Sequence, residues 1–131
     1  MNTRIRSFAF SAVMGVSFTV LAGPAAADGD AGKGQQVFQQ CAACHSIQPG
    51  QTLMGPSLAG VVDREAGSVA GFNYSDALSS ASFAWTEERL DSYIADPSGD
   101  LPGNRMPFAG MSNGEERRDV IAYLKTLSSQ Q

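Results

Sequence analysis

The only two cysteines and the only histidine of this 131-residue chain fall within five consecutive residues, Cys41-Ala42-Ala43-Cys44-His45. Thiols at i and i+3 stand one turn apart on a helix end, with an imidazole beside the second. That spacing lets both sulfurs add across the two vinyl groups of a haem while His45 reaches the iron, the attachment pattern of a c-type haem. Other uses of these residues are weaker. A zinc site needs about four nitrogen or sulfur ligands, more than Cys41, Cys44 and His45 supply. A redox Cys-x-x-Cys expects a βαβ setting, and no strand pattern surrounds this one. A disulfide between Cys41 and Cys44 would close a tiny loop and add little stability. A Ser-His-Asp or Cys-His enzyme would have to use His45 alone.

The N-terminal segment reads as an export signal. Arg4 and Arg6 give a positive start, Phe8 to Ala22 is an uncharged, mostly apolar run of 15 residues, and Ala25-Ala26-Ala27 is a small-residue cleavage pattern. The run falls short of the ~20 residues that span a bilayer. Cleavage is expected after Ala27, so that residues 1–27 are a signal peptide and residues 28–131 form one mature domain in the bacterial periplasm. Loss of Arg4 and Arg6 takes the net charge from −4 to −6. That sign argues against nucleic acid as a partner. No other stretch is apolar enough for stable membrane insertion.

The mature region reads as all-α. Asp30 to Ala43 is a predicted helix, capped by Asp30, with Val37, Phe38 and Cys41 on its apolar face. Gly32 and Gly34 inside it cost about 1 kcal/mol each against Ala, which points to close approach by another element. Thr86 to Ala95 is a second helix, with Thr86 as N-cap, Glu87 and Glu88 in the first turn, and Leu90, Tyr93 and Ile94 inward. Asn113 opens a third, whose buried stripe is Val120, Ile121, Leu124 and Leu127. Between them, His45 to about Gly71 and Ser98 to Gly114 have no sustained period and many Pro and Gly. Such long irregular stretches are uncommon in a compact domain unless they wrap something. Three short helices make a thin core, and a large apolar cofactor would complete it.

An iron held by His45 needs a second ligand, and sulfur is the remaining candidate. Met54 follows His45 by only nine residues, too close to pass easily round the ring. Met106 and Met111 both lie in the Pro/Gly-rich loop after the second helix. Met106, between Arg105 and Pro107, is poorly set as a core plug, but the residues alone leave Met111 open.

From Gly55 onward the chain resembles the class I cytochromes c, above all bacterial cytochrome c2 and mitochondrial cytochrome c. Gly71-Phe72-Asn73-Tyr74-Ser75-Asp76-Ala77 is similar to the family's Gly-Phe-x-Tyr-Thr-Asp-Ala. Phe83, Trp85-Thr86-Glu87-Glu88, Leu90, Tyr93 and Pro97 follow in register. Pro102-Gly103-Asn104-Arg105-Met106-Pro107-Phe108-Ala109-Gly110 resembles Pro-Gly-Thr-Lys-Met-x-Phe-Ala-Gly, and Glu116 to Lys125 resembles the terminal helix. The likeness spans nearly all of the mature region, with one-residue shortenings before Cys41 and between His45 and Gly55.

The resemblance implies a class I cytochrome c fold: three main helices, short ones and long loops around one haem c, covalent through Cys41 and Cys44. It implies His45 and Met106 as iron ligands, and a Pro56 carbonyl that accepts the Nδ1–H of His45. It implies Tyr74 and Trp85 as donors to a buried propionate, Arg64 as nearby charge, and Tyr93 with its hydroxyl close to the Met sulfur. Phe108 would pack by the exposed haem edge, and Gly34 and Phe38 would meet Tyr123 and Leu124 where the first and last helices cross. Departures are Leu78 where an Asn is frequent, and Asn104 for a Thr that donates to the inner propionate; Asn104 keeps a donor. Around the haem edge, Gln40, Ser98, Ser112 and Asn113 stand where mitochondrial proteins carry Lys, and only Arg105 stays basic.

With both axial positions filled, the expected role is that of a monomeric electron carrier and not an enzyme. It would take electrons from a quinol–cytochrome c oxidoreductase and deliver them to an oxidase, a photosynthetic reaction centre or a reductase. A peroxidase or gas sensor with weak Met ligation, and a subunit dedicated to one dehydrogenase, are the competing readings.

Overall fold

The computed structural model describes residues 28–130, so the expected signal peptide lies outside the described residues. Among the described residues six helices follow one another: α1 (Ala31–Val37), α2 (Gln39–Ala42), α3 (Asp76–Ser79), α4 (Glu87–Ala95), α5 (Pro97–Asp100) and α6 (Gly114–Thr126). A 3₁₀ turn, Leu127–Gln130, ends the series. Among the described residues no strand forms, and Glu65 and Ala84 make an isolated antiparallel bridge.

The main helices start where short polar side chains capture free amides. Asp30 accepts from Gly32 N and Lys33 N, Thr86 from Arg89 N, and Asn113 from Glu115 N and Glu116 N. The expected helix from Asp30 to Ala43 is instead two helices. It breaks at Phe38, which caps α1 and precedes α2. There the hydrogen bonding tightens: Phe38 O accepts from both Cys41 N (2.8 Å) and Ala42 N (2.9 Å).

α1 and α6 cross at Gly34, which is buried. A Cβ there would overlap the Asp119 carbonyl and come within 2.9 Å of Tyr123 Cβ. The two backbones touch, which accounts for a Gly that helix propensity disfavours. Phe38 and Tyr123 pack beside the crossing with ring centroids 5.3 Å apart, and Asp30 N donates to Asp119 Oδ1 at 2.7 Å. α4 lies along α6, tied by Arg117–Asp91 (2.8 Å) and Lys125–Glu87 (2.7 Å). Phe38, Val61, Trp85, Leu90, Tyr93, Val120, Ile121, Leu124 and Leu127 form the core. The long loop after α2 is held by side chains that bond to its own backbone. Ser57 Oγ donates to Gln48 O (2.7 Å) and accepts from Ala59 N (3.1 Å).

Candidate functional site

The core is incomplete on one side, where a cavity of about 490 Å³ opens between the helices and both long loops. Cys41 on α2 and Cys44 in the turn just after it line the cavity, with His45 immediately following. Both thiols are free and half-buried. Burial, and then the proximity of Cys44, push the Cys41 thiol above its ordinary pKa.

His45 is oriented by the loop that follows. Gly55 N donates to Cys44 O at 2.8 Å, which folds residues 45–55 back over the imidazole. A Cβ on Gly55 would overlap His45 Cε1 and lie 2.7 Å from Nδ1 and 2.9 Å from Nε2. The ring therefore stacks on a backbone that only Gly provides. The next carbonyl, Pro56 O, sits 2.7 Å from His45 Nδ1. A carbonyl only accepts, so Nδ1 carries a hydrogen, and in the neutral ring Nε2 then keeps its lone pair. Burial is the main influence on this imidazole and lowers its pKa, against the opposing pull of the Pro56 bond. A neutral imidazole with a fixed tautomer is the form that ligates a metal.

Arg64, Tyr74, Trp85, Tyr93 and Met106 line the same cavity. Arg64 is half-buried and donates to Ala59 O (2.9 Å) and Ser57 O (3.0 Å). Its Nε is buried without a partner, and no carboxylate among the described residues pairs with it. Burial lowers its pKa. A guanidinium in this state lacks an anion. Tyr74 accepts Val69 N–H at 3.2 Å, which leaves its own hydrogen for another acceptor. Trp85 is buried, its ring 4.9 Å from that of Tyr93. Burial, and then Asp100, raise the Tyr93 pKa to about 12, so its hydroxyl stays a donor. These features fit a haem: two thiols for its vinyl groups, an oriented imidazole for its iron, an apolar slot for its ring, and an orphaned cation for a propionate.

Among the three methionines of the described residues, Met54 is 72% exposed at the cavity mouth, and Met111 is 5% exposed. Met106 is intermediate, and both it and Met111 line the cavity. Asn104 is placed differently from expectation. It does not line the cavity, because its amide nitrogen donates to Pro97 O (2.7 Å) and Leu101 O (2.9 Å). Its Oδ1 accepts Met106 N–H at 2.9 Å. The Asn thus fastens the loop beneath Met106, and its hydrogens are not free for a propionate. An Asn that accepts from the amide two residues on is the Asx-turn pattern, a signal the sequence did contain. The role of Gly55 under the imidazole was likewise readable only as a turn signal.

Comparison with known proteins agrees with this geometry. A family model described as "Cytochrome c" matches residues 31–128. Cytochrome c2 iso-2 of Magnetospirillum fulvum is 50% identical over 90 residues, 69% of this chain and 94% of that protein. Cytochrome c2 of Blastochloris viridis is 46% identical over 107 residues, 81% of this chain and 84% of that protein. Among solved structures, cytochrome cH from Methylobacterium extorquens superposes with a TM-score of 0.72 at 40% identity, covering 75% of this chain and 99% of that one. With a family model covering residues 31–128 and the paired thiols, oriented imidazole and ring-sized slot in one cavity, this chain belongs to the cytochrome c family, whose members carry one covalent haem c.

Proposed function

We propose that this chain is a soluble periplasmic one-electron carrier, in which His45 and Met106 would hold the haem iron. When bound, the haem supplies a ferric–ferrous couple. The chain's residues set how that couple behaves. His45 Nε2 is aimed by the Nδ1–Pro56 bond, which makes the imidazole a stronger donor. The Met106 thioether favours the ferrous state and raises the potential. Arg64, Tyr74 and Trp85 would hold a propionate, and the apolar lining would disfavour the extra charge of the ferric form. Ligands that persist in both states keep reorganisation small, which suits electron transfer.

The observation that carries this reading is the oriented, neutral His45 in the same cavity as the Met106 loop. Electrons would come from a quinol-oxidising cytochrome complex and leave to a terminal oxidase, a reaction centre or a reductase. Contact would run through Pro107, Phe108 and the haem edge, with Arg105 as the charged anchor. Export rests on the N-terminal sequence pattern, and sequencing of the exported protein should begin at Asp28. Carbon monoxide tests the closed iron: the reduced spectrum should be unchanged on its addition. A shifted spectrum would mean an open coordination position and favour the gas-binding or peroxidase reading.

A further inference from the structure

Arg117 lies on α6 outside the cavity, yet it gathers three acceptors from two other segments. Its Nη1 donates to Met111 O at 2.8 Å and to Ser112 O at 3.0 Å. Its Nε donates to Asp91 Oδ1 on α4 at 2.8 Å. The Arg117 side chain is 16% exposed and that of Asp91 is 42% exposed. Met111 and Ser112 are where the loop bearing Met106 ends. The neighbouring backbone closes on α4 at the same point: Met111 N donates to Ile94 O at 2.9 Å. At Gly110, φ is +107°, and a Cβ would overlap Ala95 O.

Between Met106 and Met111 the loop holds little structure of its own. It has a single internal backbone bond, Phe108 N to Met106 O at 2.9 Å. Its shape is therefore set by its ends. Asn104 fixes the near end through the Met106 amide, and the Arg117 fork, together with the Met111 N–Ile94 O bond, fixes the far end. A guanidinium held by a carboxylate on one edge and two carbonyls on another is pre-organised, and charge-assisted bonds of this kind are the strong ones. A neutral thioether ligand on a flexible side chain is displaced more readily when its loop can also move.

We propose that Asp91 and Arg117 form a positioning clasp for the axial thioether: Asp91 orients the guanidinium, and the guanidinium holds the end of the loop so that Met106 stays on the iron. The proposal rests on Met106 ligation as argued under Proposed function. The Glu87–Lys125 pair supplies a control. It joins α4 and α6 like the clasp, at 2.7 Å, but both partners are about half exposed and neither bonds to the loop.

The test uses ferric holoprotein at pH 7 and imidazole, which must displace the thioether to bind. Binding is followed by loss of the weak far-red sulfur-to-iron band. Arg117→Lys keeps the charge but loses the fork, and should raise imidazole affinity about tenfold, the size of one charge-assisted bond. Asp91→Asn should raise it several-fold, and the double variant should gain less than the product of the two. Glu87→Gln should stay within about twofold of the parent. Variants of Arg117 and Asp91 that bind imidazole like the parent would overturn the clasp, as would an equal gain in Glu87→Gln, which would trace the effect to general helix docking. A parent protein without the far-red band would overturn Met106 ligation and the clasp with it, so the two failures are distinct.

Discussion

Gly34→Ala sets helix propensity against packing at the α1–α6 crossing. Propensity alone favours the change by about 1 kcal/mol. The crossing opposes it, because the new Cβ would lie 2.5 Å from Asp119 C and 2.9 Å from Tyr123 Cβ, and would overlap Asp119 O. The first two partners are backbone or tied directly to it, so rotamer changes cannot relieve them. Normal carbon–carbon contact is about 3.5 Å, so the helices must part by about 1 Å. A gap of that size forfeits up to about half of each contact's attraction, and the contacts at risk belong to Phe38, Tyr123 and Leu124. Overpacking plus lost contact comes to about 4 kcal/mol. The net loss is about 3 kcal/mol, or about 12–24 °C in melting temperature for a domain of this size. The assay is thermal and denaturant unfolding of holoprotein, with Gly32→Ala in parallel. Gly32 is exposed, and the contact its Cβ would make is with Asp30 Oδ1 at 3.1 Å, so that variant should be neutral or slightly more stable. If Gly34→Ala is as stable as Gly32→Ala, the argument from touching backbones is wrong.

The holoprotein should keep its haem in acidified acetone and show the added mass; Cys41→Ala should retain a single thioether, and protein made without haem should be largely unfolded, since the ring completes the core. Tyr93, whose pKa rises from 10.0 to about 12 on folding, contributes stability that is present below pH 10 and lost as pH rises through 12. Tyr93→Phe should therefore flatten the stability–pH curve by about 2–3 kcal/mol across that window, and an unchanged alkaline slope would show that the hydroxyl is not buried as described. With the native acceptor, the bimolecular rate should fall only slightly with added salt, because among the described residues Arg105 is the sole exposed charge lining the cavity. A steep fall would reveal an attractive charged patch beyond it.

How much was legible in the sequence differs from element to element. Asp30, Thr86 and Asn113 announced the main helix starts because an N-cap is local chemistry, read from one side chain and two or three amides. The thiols and imidazole were legible because attachment demands a fixed spacing. The break at Phe38 was not: no Pro or Gly marks it, and it lies where Phe38 enters the core against Tyr123, a contact 85 residues away. The role of Asn104 was not legible from its equivalence with a Thr, which speaks only to a donor. An amide has a second hydrogen and an acceptor, and the backbone at Pro97, Leu101 and Met106 takes all three. Nothing in the sequence marks the role of Arg117, since its acceptors are two carbonyls and a carboxylate on another helix, which only the fold brings together.

His45–Met106 ligation is tested most directly by the far-red sulfur band of ferric holoprotein in Met106→Ala and Met111→Ala. The band should be present in the parent. It should be lost in Met106→Ala, with a lowered potential and new binding of carbon monoxide to the reduced form, and retained in Met111→Ala. Loss in Met111→Ala with retention in Met106→Ala would assign the iron to the other sulfur and contradict the account.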